Sequence, residues 1–369
     1  MSHGGDSRFI IYQHSHQTLH PDMETTPRPR ILMIYTGGTI GMIENPDTRA
    51  LEPFDFDHLI DNVPKIKMLD YEIDNVQFSS PVDSSAMNTS HWIDIAKVVE
   101  DNYDFYDGFV VLHGTDTMAY TASALSYMLR NVEKPVIITG SQLPIGEVRT
   151  DGEENLITAL QVAAAKDTDG RPMVREVAIL FENYLWRGNR STKHSSDNFN
   201  AFKSNNYPAL ARIGLGITYH KDALWRGGCG EKLNVRYGLD PNVVYIDLFP
   251  GISETTIRHL LNTPGLKGVV LKTFGAGNGP GDPWFLKALK EAIDRGVVIV
   301  NVTQCSNGCV HQQLYLTGWG LAQVGVVSGH DITSEAAVTK LMHLFGEGYS
   351  PEEVRRQMET SLCGEMTVG

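Results

Sequence analysis

Apolar positions in this chain come in short blocks, separated by longer stretches of helical spacing. Largely apolar runs occur at Ile31–Thr36, Val76–Ser79, Gly108–His113, Pro135–Thr139 and Val177–Glu182. Between and after them, Thr89–Asn102, Asp116–Arg130 and Asp151–Ala165 carry apolar residues three and four apart. Blocks of the first kind suit strands covered on both faces, and stretches of the second kind suit the helices that cover them. Pro135 opens its run, where a strand tolerates a missing N–H. The alternation predicts an α/β fold with a mostly parallel sheet.

The texture changes between about residues 204 and 241. Pro208, Gly214, Gly216, Gly227, Gly228, Gly230, Gly238 and Pro241 interrupt any period there, which marks a connection. A second α/β block follows, with strands expected at Val243–Phe249, Gly268–Phe274, Val297–Val302 and Gly325–Ser328. Helices are expected from Ser253, over Trp284–Arg295, from Thr333 and from Ser350. In the last of these Pro351 stands at the first helical position and acids fill the first turn. At the other end, residues 1–28 are polar, with His3, His14, His16 and His20 at spacings that fix no metal geometry. They read as a disordered tail or tag, with Met23 as an alternative start. The expected organisation is a tail at 1–28, an N-terminal α/β catalytic domain at 29–205, a connecting segment at 206–241 and a C-terminal α/β domain at 242–369. The larger N-terminal domain is expected to hold a mostly parallel sheet flanked by helices, and the smaller C-terminal domain a parallel sheet.

Composition narrows the function classes. A chain of 369 residues, 41% hydrophobic, can bury a large core. Its formal net charge of −13 argues against nucleic acid or an anionic membrane as partner, since phosphate contacts need a basic face. No run approaches the roughly 18 apolar residues of a membrane span, and no basic segment leads into an apolar leader. Four cysteines, Cys229, Cys305, Cys309 and Cys363, are too sparse for a disulfide framework, and Cys305 and Cys309 lack the second pair of a zinc site. A cytoplasmic location is expected.

Candidate chemistry sits in two turns after strands. Thr36-Gly37-Gly38-Thr39 follows the first run, and His113-Gly114-Thr115-Asp116-Thr117 follows Phe109–Leu112. Ligands in open α/β sheets bind outside the carboxyl ends of strands. A threonine hydroxyl there can attack a carbonyl once a partner takes its proton. Thr39 is the candidate nucleophile, although one such threonine also suits helix capping. There is no Ser-x-Gly elbow. His113 is open as a base but reads better as structural. A Thr–Lys–Asp arrangement would use Thr115, Asp116 and a lysine from elsewhere, and Lys193, in Arg187-Gly188-Asn189-Arg190-Ser191-Thr192-Lys193, is the candidate.

These three segments, Tyr35–Gly41, Asp107–Met118 and Arg187–Lys193, together resemble the L-asparaginase family, and within it the bacterial cytoplasmic type I branch. The likeness runs from about Arg30 to Gly364-Glu365-Met366-Thr367. It implies hydrolysis of L-asparagine to L-aspartate and ammonia, with no cofactor and no metal. It implies Thr39 as nucleophile and Thr115, Asp116 and Lys193 as a relay, with the order of attack between the two threonines left open. Asp83, Ser84 and Ser85 match the loop that binds the substrate α-carboxylate, and Asp116 would also hold the α-ammonium. The Thr115 N–H, with Ser141, would face the oxyanion. Asn278 would reach a neighbouring subunit's site, so a homodimer or homotetramer is implied. Leu51 stands where many relatives carry a flap tyrosine, and Tyr315 is the candidate replacement. Ala86 takes the place of the usual acidic residue in the serine loop. Thr192 and Cys305 match a regulatory asparagine site of some relatives. Lys272 replaces its arginine, however, and lysine lacks the bidentate grip on a carboxylate, which argues against cooperative activation.

Other readings remain distinguishable. Gly275-Ala276-Gly277-Asn278-Gly279-Pro280-Gly281 superficially suits a nucleotide loop, but it lacks a P-loop lysine and has Pro280 where the dinucleotide pattern needs glycine. A non-catalytic amino-acid sensor would need neither Thr39 nor Lys193. The amidotransferase subunit that resembles asparaginase carries an extra N-terminal barrel, for which there is no room before Thr36. A glutaminase-asparaginase of broader specificity differs by one methylene of substrate, which a sequence does not resolve.

Overall fold

Along the strand Arg30–Tyr35, Leu32 and Ile34 pack into one core and Ile31, Met33 and Tyr35 into another. Successive strand side chains point to opposite faces, so an unbroken apolar run records a sheet covered on both sides. In the computed structural model, which describes residues 9–12, 28–44, 51–53, 63–226 and 230–368, this strand lies inside a nine-stranded sheet. Five neighbours in that sheet, Glu72–Phe78, Arg30–Tyr35, Gly108–Leu112, Val136–Thr139 and Val177–Phe181, run parallel. The helices Thr89–Asn102 and Met118–Met128 cover one face, and Gly152–Ala164 covers the other. Asn88 caps the first of these, accepting from the Ser90 N–H, while His91 returns the favour to the Asn88 N–H.

The same logic builds a four-stranded parallel sheet from Val243–Asp247, Gly268–Thr273, Val298–Thr303 and Val327–Ser328. Val298, Val300 and Val302 face the helices Ser334–Gly346 and Pro351–Met358, whereas Val269, Leu271 and Ile299 face Glu254–Leu261 and Pro283–Asp294. The mixed α/β fold with a large, mostly parallel sheet and a separate smaller one is thus as expected.

Three features depart from expectation. Phe9–Tyr12, within the stretch read as a tail, pairs antiparallel with Glu72–Phe78. Four consecutive aromatic and β-branched residues have strand propensity whatever surrounds them. The histidines and Met23 of that stretch lie outside the described residues, as does Cys229. Residues read as connection supply two strands, Ala211–Ile213 and Ile217–Tyr219, which extend the large sheet antiparallel beyond Tyr184–Arg187. The helix expected to reach Arg130 stops at Met128, because Leu129–Arg130 pairs with Asn234–Val235.

The two sheets are joined through the C-terminal segment. Lys340 Nζ lies 2.6 Å from Glu365 Oε1, and both side chains are fully buried. The ammonium also donates to Thr360 O, and the carboxylate accepts from the Leu362 and Cys363 N–H groups. Burial pushes the Glu365 carboxyl up, but the Lys340 charge and these N–H groups outweigh it and hold the group below its ordinary value. From the other side, Arg187 and Arg190 donate to Gly364 O and Asn189 donates to Cys363 O. Arg190 also meets Asp331 at 2.9 Å. The result is a clasp between residues 187–190 and residues 361–367.

Two buried histidines complete the interior. His113 donates from Nδ1 to Gly114 O at 2.7 Å, and Nε2 accepts from Thr121 Oγ1 at 2.8 Å, which itself accepts from Trp92 Nε1. His343 stacks on Tyr127 and bonds Gly238 O. Burial pushes both imidazoles down, to about 4 for His113 and about 3 for His343, the latter also through Arg130.

Two outcomes are expected. Lys340→Met strands a buried carboxylate and should cost about 3–5 kcal/mol of unfolding free energy; Lys340→Met/Glu365→Gln should recover part of it in denaturant titrations. For the histidines, the folded rings stay neutral while unfolded ones protonate near 6.5. Between that pH and their folded values the unfolded state binds more protons, so stability falls with falling pH. Each ring should contribute a slope of about 1.4 kcal/mol per pH unit. His343→Gln should flatten the dependence between pH 6.5 and 4; an unchanged slope would show that the ring does not titrate as described.

Candidate active site

Both threonine turns leave the carboxyl ends of adjacent parallel strands, and their backbones touch. Gly38 has φ +94°, and a Cβ there would stand 2.4 Å from Gly114 N. A Cβ on Gly114 would meet Ser84 Oγ at 2.6 Å. Glycine alone permits both approaches. Three loops, 36–41, 82–86 and 113–117, are thereby packed on one point. Hydrogen bonds fix their register. Val82 N donates to Thr36 O, Thr117 Oγ1 to Ser84 O, and Tyr35 OH to Gly41 O.

The hydroxyls separate into structural and available ones. Thr36 Oγ1 donates to Leu112 O at 2.9 Å and is buried. Thr117 is spent on Ser84 as described. Thr39 begins a short 3-10 turn, Thr39–Gly41, half-buried, and its hydroxyl has no hydrogen-bond partner among the described residues. Thr115 is buried and bonded to Lys193, whose Nζ donates to Thr115 Oγ1 at 2.8 Å and to Asp116 Oδ1 at 2.6 Å. Thr115 Oγ1 in turn donates to Gln142 Oε1 at 3.2 Å. The cluster opens outward from Thr115, since the Asp116 side chain is 64% exposed against 18% for Lys193.

Lys193 reaches the cluster from the two-residue strand Thr192–Lys193, paired antiparallel with Phe202–Lys203. Its position follows from the clasp, because Arg187, Asn189 and Arg190, just upstream, anchor the segment. Gln142 was not legible as a neighbour of Thr115. The Gln142 and Leu143 N–H groups bond the Asp151 carboxylate, and the Gln142 amide donates to Asn198 O. Burial pushes the Asp151 carboxyl up, against the pull of those N–H groups.

The remaining predicted residues fall into three places. Asp83 accepts from the Ser85 N–H at 2.8 Å, a bond that holds its carboxyl below the usual range, and so shapes the turn carrying Ser84 and Ser85. Ser84 is buried against Gly114 and Ser85 is exposed. The Ser141 hydroxyl is buried and donates to Leu143 O at 2.5 Å. Asn278 and Tyr315 belong to loops of the smaller sheet. No hydrogen bond joins either to Thr39, Thr115, Asp116 or Lys193. Asn278 accepts from Thr317 Oγ1, and Tyr315, 56% exposed, precedes the helix Leu316–Val324. Leu51 lies in a short strand, Leu51–Pro53, paired with Met42–Glu44.

Thr192 and Lys272 converge on a residue the sequence did not single out. Thr192 Oγ1 donates to Glu335 Oε1 at 2.5 Å. Burial pushes the Glu335 carboxyl up, while the Thr192 hydroxyl and the Lys272 charge pull it back. Lys272 itself pairs with Asp247 at 2.7 Å, and Cys305 is exposed.

Known proteins place this arrangement. Residues 30–225 match the family description "Asparaginase, N-terminal" and residues 242–358 match "Glutaminase/Asparaginase C-terminal domain". L-asparaginase 1 of Escherichia coli is 42% identical over 341 residues, which cover 91% of this chain and 98% of that protein. The 60 kDa lysophospholipase of Mus musculus is 40% identical over 377 residues, covering 93% of this chain and 63% of that longer protein. The crystal structure of L-asparaginase I from Vibrio cholerae superposes with a TM-score of 0.84 at 41% identity, over 92% of this chain and all of that one. Two matched domains in order, and a fold shared over nine-tenths of the chain, establish that this protein belongs to the asparaginase family.

Proposed function

We propose that this protein hydrolyses the side-chain carboxamide of L-asparagine, with Thr39 as nucleophile and Thr115, Lys193 and Asp116 handling the proton. The observation that carries the reading is the Lys193 Nζ shared between Thr115 and Asp116, 78 and 77 residues away in sequence. A solvated surface lysine needs no such company. Lys193 in its unprotonated form takes the Thr39 proton by way of Thr115 Oγ1 as the Thr39 oxygen bonds the carboxamide carbon. The carbonyl π electrons move to oxygen, which the Thr115 N–H faces. Collapse breaks the C–N bond, and the leaving nitrogen takes the proton back from Lys193 and departs as ammonia. Water then splits the threonyl ester by the same route and releases L-aspartate.

The substrate's charged end is placed by the neighbouring loops. Asp116 Oδ1 is engaged by Lys193, leaving Oδ2 for the α-ammonium. The turn that Asp83 holds offers Ser84 and Ser85 to the α-carboxylate. The Ser141 hydroxyl is held by Leu143 O, which leaves its main chain for the oxyanion, and Gln142 is the side chain that Thr115 Oγ1 meets. The side chains bonded to Thr115, Lys193 and Gln142, are polar, as are Asp116 on Lys193 and Ser84 against Gly114. That supports an amino-acid substrate over the acyl chain of a lysophospholipid. The direct bond from Lys193 to Thr115 favours one second reading, in which Thr115 attacks first. Asn278 and Tyr315 share the face around Leu316–Val324 and are read as serving the site of a second subunit in a homodimer or homotetramer. The free thiols among the described residues, Cys305, Cys309 and Cys363, suit a reducing cytoplasm.

Lys193→Met and Thr115→Val should each lower kcat for asparagine by about 10²–10⁴-fold; unchanged ammonia release from Lys193→Met would end this reading. Mass spectrometry of acid-quenched turnover should find the acyl adduct on the peptide containing Thr39, and an adduct on Thr115 would reverse the order of attack. A kcat/KM ratio of asparagine to glutamine of about 10–200 is expected from one methylene, while parity would make the enzyme a glutaminase-asparaginase. For the shared site, mixing inactive Thr115→Val with weakened Asn278→Ala subunits should restore activity above either alone. No gain after confirmed subunit exchange would confine each site to one chain.

A further inference from the structure

A cleft of about 300 Å³ lies where the two sheet units meet, away from the threonine turns. Its walls come from the strand pair Leu129–Arg130 and Asn234–Val235, the end of the helix Ser334–Gly346, and the helix Pro351–Met358. Four of its side chains, Arg130, Asn234, Tyr349 and Gln357, carry hydrogen-bond donors, and none of them has a side-chain partner among the described residues. Arg130 is the notable one. It is half-buried, and among the described residues no carboxylate or carbonyl meets its guanidinium, whereas nearby Arg187 and Arg190 each meet a carbonyl and a carboxylate. Arg236 adds a second cation to the cleft. Its one partner, Glu347 Oε2, is a long 3.4 Å away, while Glu347 Oε1 is held by the Gly238 N–H at 2.7 Å. Among the described residues Glu347 is the one carboxylate lining the cleft.

The protein as a whole is strongly acidic, at −13, so a concavity with two arginines and one engaged carboxylate stands against the general charge. An arginine fork without a protein partner matches the planar geometry of carboxylate and phosphate oxygens. Unpartnered neutral donors around it can complete the coordination of an oxyanion. We propose that this cleft binds a small, multiply charged oxyanion, a phosphate or a polycarboxylate. Arg130 and Arg236 supply the charge, and Asn234, Tyr349 and Gln357 supply neutral donors. The ligand bridges elements of both sheet units and therefore stabilises their junction by mass action.

Thermal unfolding of the full chain with inorganic phosphate, with citrate, and with chloride at matched ionic strength tests the proposal. Multiply charged anions also stabilise proteins by exclusion from their surface, and that effect neither saturates nor depends on one arginine. The expected result is a saturable rise in Tm of about 2–4 °C with phosphate or citrate, absent with chloride and diminished in both Arg130→Met and Arg236→Met. The more effective anion identifies the ligand class. No saturable rise in the unaltered protein, or a rise as large in either variant, overturns the proposal. Arg236 is exposed, so its replacement carries the test alone if Arg130→Met fails to fold.

Discussion

The contact on which the site depends is one between backbones. Gly38 lies so close to the Gly114 main chain that it has no space for a Cβ, and Ser84 fills the space that a Cβ on Gly114 would need. The atoms at that crossing have little freedom, since main chain cannot move aside as a side-chain tip can. The three loops therefore hold their relative positions whether or not a ligand is present. A site preorganised in this way spends little binding energy on ordering its own parts. Hydroxyl bonds serve the same end: Tyr35 closes the first turn on its own strand, Thr36 ties that turn to the neighbouring strand, and Thr117 ties its turn to the serine loop.

The segment Arg187–Lys193 shows how one motif divides its labour. Arg187, Asn189 and Arg190 face away from the threonines and grip residues 363 and 364, with Glu176 and Asp331 balancing the buried charge. Lys193 alone faces the cluster. Buried ion pairs contribute little net stability compared with apolar packing, but they punish misplacement severely. Here they determine where the lysine strand lies. Thr192 extends the arrangement, since its bond to Glu335 ties the same strand to a helix of the smaller unit.

The central strands were legible because both their faces are buried, which leaves continuous apolar runs such as Phe109–Leu112. The edge strands were not. Tyr184–Arg187, Ala211–Ile213 and Ile217–Tyr219 are short, antiparallel and partly polar, and their partners rather than their composition make them strands. The helix Leu316–Val324 escaped for the opposite reason, because Gly318 and Gly320 inside it read as loop. The helix end at Met128 was set by a pairing more than 100 residues away in sequence. At the site, ordered motifs singled out Thr39, Thr115, Asp116 and Lys193. Gln142 beside Thr115, Glu335 beside Thr192 and the bond from the Ser141 hydroxyl to Leu143 O depend on rotamers and distant packing, for which a linear pattern holds no signal.

The clasp also has a consequence for how the molecule is made. Thr39, Thr115 and Lys193 all leave the ribosome well before residues 361–367 do. Until those residues emerge, Arg187, Asn189 and Arg190 lack the carbonyls that anchor them, and the lysine strand has no fixed seat. At ordinary translation speeds the interval from residue 193 to residue 367 is roughly 10–30 s. The growing polypeptide thus leaves Lys193 unseated over that interval, and residues 361–367 act as the latch that sets its strand.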